Sequence, residues 1–215
     1  MEINNDYTFS EIEVDTLQEL MNIAFGQASA DLAEVINVFI VLSVPSIKIN
    51  KEESLTEFIN SEIGDLKGYK IVEQSYWGKS RGVALLAFPH EAELELIAMF
   101  REDADTVVDA EMSDELDNEM LIEIGNILIG ACVSKLAELL KDLVTFVPPR
   151  VISGEQLVEA LVENRFESET SRVILLKTVF RINDRELSGH LFLLNNLDSI
   201  HTLKDALRAF WKQYE

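Results

Sequence analysis

The chain has 215 residues, 47% of them hydrophobic, with only 9 glycines and 4 prolines, so it can bury one sizeable core and no long disordered stretch is expected. Its 39 acidic and 18 basic side chains give a net charge of −21, which argues against nucleic acid and anionic membrane surfaces, since clustered Lys and Arg bind both. Cys132 is the only cysteine, so no intramolecular disulfide can form, and in an apolar helical run it reads as a packed thiol.

The start, Met1 to Asp6, lacks the basic and apolar regions of a signal peptide. No apolar run is expected to reach the ~20 residues that span a bilayer. The expectation is a cytoplasmic protein without membrane insertion.

The first element is a helix around Asp15–Gly26, with Leu17, Leu20, Met21, Ala24, Phe25, Ala28 and Leu32 on one apolar stripe at helical spacing. Asp15 lies in or near its first turn. An extended stretch with Pro45 follows (Val38 to Ile49), then a short helical segment (Glu53 to Ile63). A hairpin of Tyr69 to Trp77 and Gly82 to Phe88 turns through Gly-Lys-Ser-Arg, and a helix near His90 to Arg101 closes the half. The acidic stretch Arg101 to Asp117 reads as a linker. A second helix runs from Glu119 to about Leu140, with Ser113 or Asp114 as N-cap. An extended stretch with Pro149 follows (Thr145 to Ile152), then a helical segment (Gln156 to Asn164). The second hairpin pairs Arg172 to Ile182 with Leu187 to Leu194 through Asn183-Asp184-Arg185-Glu186, and the last helix is Asp198 to Trp211.

The order is α-β-α-β-β-α, twice. Glu19 and Glu123, Asn22 and Asn126, Gly26 and Gly130, and Pro45 and Pro149 are each 104 positions apart (123 − 19, 126 − 22, 130 − 26, 149 − 45). Two three-stranded halves would each leave open sheet edges, so one continuous sheet is expected. The expected fold is α/β (α+β): a single domain over 1–215, made of two repeats at about 10–105 and 114–215.

Positions i, i+3 and i+7 share one side of a helix, so Glu19, Asn22 and Gly26 lie together, as do Glu123, Asn126 and Gly130. That side is offset from the apolar stripe. One Glu and Asn at this spacing on a solvated face is commonplace; two copies, each with its glycine and proline, favour a function. A glycine there costs about 1 kcal/mol relative to alanine and leaves a bare spot for another molecule to approach.

No Ser, Cys or His stands by to make a nucleophile. His90, His190 and His201 lack metal-ligand spacing, and no Gly-x-x-x-x-Gly-Lys loop is present. A carboxamide can hold an attacking water in line, and a carboxylate can take a cationic partner. Such a pair needs a phosphoryl group and a metal from elsewhere.

The pattern Asp15-x3-Glu19-x2-Asn22-x22-Pro45, repeated as Glu119-x3-Glu123-x2-Asn126-x22-Pro149, resembles the signature of the CheC, CheX and FliY phosphatases of bacterial chemotaxis. The strings ELMNIAFGQA, EIGNILIGA, SVPSIKI and GVALLAF are similar to that family's motif helices and strands, and the likeness spans about residues 10 to 211. The resemblance implies a pseudo-twofold fold with one continuous sheet and two exposed motif helices. It implies a phosphatase that dephosphorylates the phospho-aspartate of a CheY-like response regulator. Asn22 and Asn126 then orient the water, Glu19 and Glu123 contact the partner's active-site lysine, and the response regulator supplies Mg²⁺. CheD enters as a second partner. Length and two intact motifs match CheC better than single-site CheX. The departures are Glu119 where the family favours Asp or Ser, and Phe25 and Gln27 beside the first glycine. The alternatives are a non-catalytic module docking a receiver domain, CheD or a flagellar switch protein, and a purely structural duplicated domain.

Overall fold

The structure, a computed structural model, describes residues 9–36, 40–49, 55–78, 81–101, 110–162, 171–182 and 185–212. Helix α1 (Glu11–Ile36) opens on a capping box that periodicity did not reveal. Ser10 N–H donates to Glu13 Oε2 at 2.8 Å, and Glu13 N–H donates to Ser10 Oγ at 3.3 Å. Strand β1 (Ile40–Ile49) and helix α2 (Leu55–Ile63) follow, then the hairpin of β2 (Lys70–Trp77) and β3 (Gly82–Phe88) and the closing α3 (His90–Arg101).

Helix α4 (Ala110–Leu139) starts earlier than expected, so Ser113 and Asp114 lie inside it and neither is its N-cap. Ala110, Glu111 and Met112 are good helix formers, and a serine or aspartate costs a growing helix only a few tenths of a kcal/mol. The predicted linker is thus partly helical. Short strands β4 (Thr145–Phe146) and β5 (Arg150–Ser153) lead to α5 (Gly154–Val162), whose start is held by a Ser153–Gln156 capping box. Strands β6 (Ser171–Ile182) and β7 (Arg185–Asn196) and helix α6 (Leu197–Trp211) complete the chain. Both hairpin turns fall at least partly outside the described residues.

The seven strands form one sheet in the order β1-β6-β7-β3-β2-β4, with β5 also on β2, and every pairing is antiparallel. β1 crosses to pair with β6 of the later hairpin, while β4 and β5 return to pair with β2 of the earlier one. β3 and β7 meet in the middle.

Both faces of the sheet are covered, which is why β3 reads as an unbroken apolar run, GVALLAF. Ala84, Leu86 and Phe88 point to one core, with Leu17, Met21 and Phe25 of α1, Leu121, Ile124 and Leu128 of α4, and residues of α3 and α6. Leu85 and Ala87 point to the other, with Phe58 and Ile59 of α2 and Leu157 of α5. This alternation is the period of two that a strand imposes. The motif helices α1 and α4 therefore share one layer, with their apolar sides on the sheet.

By length and composition alone, α4 between Asp114 and Leu139 could cross a bilayer, with mean hydropathy 1.6; this corrects the expectation that no such run exists. Between Glu123 and Lys135 it carries no charged residue. In this fold half of that apolar window is buried.

Candidate functional site

Of the predicted stripe on α1, Leu17, Leu20, Met21, Ala24, Phe25 and Ala28 are all buried, whereas the side chain of Leu32 lies outside the described set. Glu19 and Gly26 are exposed on the opposite side and Asn22 is half-buried between them. On α4 the arrangement nearly recurs: Leu121, Ile124, Leu128 and Ile129 are buried, Glu123 and Asn126 are exposed, and Gly130 is half-buried. Each carboxylate thus reaches solvent, with Asn126 exposed beside Glu123 and Asn22 half-buried at the rim of the packed layer. Phe25 is fully buried, so that departure lies in the core; Gln27, exposed, is the one that alters the outer face.

A Cβ added at Gly26 or at Gly130 would meet nothing within 4 Å. The bare spots inferred from the repeat are real, and neither glycine is needed for packing within the chain. Gln27 of α1 and Ile127, Gly130, Ala131, Ser134, Lys135 and Glu138 of α4 line a surface hollow of about 380 Å³ beside them.

The two prolines act on the sheet. Pro45 lies where the register of β1 against β6 slips, between Ser43 and Ser46. Pro148 and Pro149 interrupt the corresponding stretch altogether, so that β4 and β5 are separate strands on β2. Proline lacks the N–H that a ladder requires, which accounts for both irregularities. Val147, just before the break, still donates its N–H to Ser75 O at 3.0 Å, but its carbonyl faces a side chain. Gln74 Nε2 donates to Val147 O at 3.1 Å and to Asn126 Oδ1 at 3.2 Å. Gln74 was not singled out from the sequence; a polar residue facing the core at an inward position of β2 was the available signal. Next to it, Arg150 Nη2 lies 3.0 Å from both carboxylate oxygens of Glu73, fastening β5 to β2 just after the break.

Gly125, beside Asn126, lets α4 sit close on the sheet: a Cβ there would fall 2.5 Å from Val72 Cγ1. Cys132 is fully buried, and burial pushes its thiol well up, away from the thiolate that a nucleophile needs. Among the described residues no group of three or more His, Cys, Asp or Glu is placed to hold a metal ion.

The sequence profile of the CheC-like family matches residues 12–49, the stretch of α1 and β1 that holds Glu19, Asn22, Gly26 and Pro45. A Bacillus subtilis (strain 168) protein named CheY-P phosphatase CheC is 27% identical over 202 residues, covering 93% of this chain and 95% of that protein. The chain is similar to CheC-like proteins. Its fold agrees. The structure of FliY from Thermotoga maritima superposes on this chain with a TM-score of 0.68 at 16% identity, covering 94% of this chain and 98% of that one. The FliM middle domain from H. pylori matches with a TM-score of 0.61 at 11% identity, covering 92% and 99%. At such identities the structural likenesses speak for fold alone.

Proposed function

We propose that this CheC-like chain dephosphorylates the phospho-aspartate of a CheY-like response regulator, using two sites: Glu19 with Asn22, and Glu123 with Asn126. The observation that carries this reading is the outward display of both Glu–Asn pairs. Each pair stands on the solvent side of a helix whose other side is core, with an open glycine one turn beyond. The relative named as a phosphatase aligns over nearly the full length.

Chemically, each pair is half of an active centre. Asn22 or Asn126 holds a water in line with the phosphorus of the partner's acyl phosphate. The water oxygen forms a bond to phosphorus while the bond to the aspartate oxygen breaks. The regenerated carboxylate leaves with the electron pair, and the water's protons pass to phosphate and solvent. Glu19 or Glu123 takes the partner's active-site lysine as an ion pair, which fixes the docked geometry. The partner brings the Mg²⁺ that neutralises the phosphoryl oxygens.

The test is phosphate release from phosphorylated receiver domains of the same genome, with and without the chain. Turnover is expected to rise in its presence and to stop when EDTA strips the receiver's metal. Binding of a receiver with no faster release would leave the docking-module reading instead, and CheD can be assayed as a second partner by the same binding measurement.

A further inference from the structure

We infer that Gln74 is a positioning residue for the site on α4: it fixes the Asn126 carboxamide in one orientation, through the carbonyl that the Pro148–Pro149 break releases. This deepens the phosphatase reading and rests on it.

Gln74 is only 2% exposed, and both of its N–H groups are committed, one to Val147 O and one to Asn126 Oδ1. A backbone carbonyl can only accept, so Val147 decides which end of the Gln74 amide faces it. The second N–H then demands an acceptor, and Asn126 must turn its oxygen inward. The Asn126 Nδ2 is left to the outer side, where it can hold a water or a phosphoryl oxygen. Among the described residues the inward bond is the only one that the Asn126 side chain makes.

The arrangement is not the one that serves stability best. Gln74 Oε1 is buried with no hydrogen-bond partner among the described residues, a condition that costs about 1–3 kcal/mol for such a group. Flipping the Gln74 amide would set its oxygen against the Val147 carbonyl, lone pair to lone pair. An apolar residue would suit this inward position of β2 better. The retained amide is explained by what it does to Asn126.

The corresponding place in the other half is Thr178, which carries no amide (178 − 74 = 104). Thr178 lies opposite the slip at Pro45, between the paired positions Ser43↔Val179 and Ser46↔Lys177. Asn22 has its own partner in the fold, but a glutamine anchor belongs to the α4 site.

The experiment isolates that site in the Asn22→Ala background and compares Gln74 with Gln74→Met and Gln74→Glu. Methionine keeps the length and removes the donors. Glutamate can only accept, so it draws the Asn126 amide round and turns Oδ1 outward. Both are expected to lower kcat for receiver dephosphorylation by on the order of ten- to a hundredfold, because misplacing a reacting group by about 1 Å can cost that much. KM is expected to stay unchanged, since docking rests on Glu123 and the open helix face. Unchanged kcat overturns the proposal. So does an equal loss at the α1 site, measured in the Asn126→Ala background, which would mark a general packing effect. A second readout needs no turnover: the NMR order parameter of the Asn126 side-chain NH₂ is expected to fall in Gln74→Met. If the unmodified chain accelerates no receiver, the phosphatase reading has failed, and the order parameter alone decides whether Gln74 governs Asn126: a fall upholds it, no change overturns it.

Discussion

Helices α1 and α4 display the same three motif residues, Glu, Asn and Gly, on different supports. Under α1, Met21 fills the space toward the core completely; at the matching position of α4 stands Gly125, and Val72 of β2 comes up against the helix backbone (125 − 21 = 104). Beside α1 the motif proline produces a slip in a ten-residue strand, whereas beside α4 two prolines cut the strand in two and a glutamine uses the released carbonyl. The outward face is held constant while its foundation differs. A shared motif therefore specifies what the partner meets, and not how firmly each copy is held.

The largest effect should come from removing the displayed groups themselves. Asn22→Ala and Asn126→Ala are each expected to cost their own site on the order of a hundredfold, by analogy with the loss of one transition-state donor, and the double variant to lose turnover with its fold intact. Rates from the two single variants measure how unequal the sites are. Full activity in the double variant would remove both motifs from the chemistry.

The supports come next. Met21→Ala leaves a cavity beneath α1 and should destabilise the chain by about 2–5 kcal/mol in denaturant unfolding. Gly125→Ala drives a methyl into Val72 and should cost about 1–3 kcal/mol, with the greater functional loss at Asn126 next door. If Gly125→Ala harmed the α1 site as much as the α4 site, the two foundations would not be independent.

The smallest effect has the opposite sign. Gly26→Ala and Gly130→Ala place a methyl in open space, so each should stabilise its helix by about 1 kcal/mol and raise the melting temperature. The same methyl stands where a partner would approach, so affinity for a phosphorylated receiver should fall. Unaltered affinity would show that the partner does not use the bare spots.

Much of this was legible because it is periodic. The stripe of Leu17, Leu20, Met21 and Phe25 reads off the chain at 3.6 residues per turn, and β3 as a short apolar run bounded by a turn. The Glu–Asn pairs were legible because they recur at one offset. What escaped was non-periodic. Ser10 and Glu13 cap α1 from ahead of its apolar stripe, and α4 extends upstream of Ser113 through the good helix formers Ala110, Glu111 and Met112. Gln74 lies 52 positions from Asn126, and no local pattern joins a strand glutamine to a helix asparagine. The strand exchange between halves was equally hidden, since hydrophobic pattern shows that strands pair and not with which.

That exchange has a consequence for how the protein comes into being. β1 ends at Ile49, yet its pairing partner β6 begins only at Ser171. A chain leaving the ribosome has made all of α1, with Glu19 and Asn22 in place, long before the strand that anchors it exists. Loop closure over such separations makes the ordering step late and cooperative. A truncated or stalled chain would therefore not carry one finished half: both Glu–Asn faces would form in one step, or neither would.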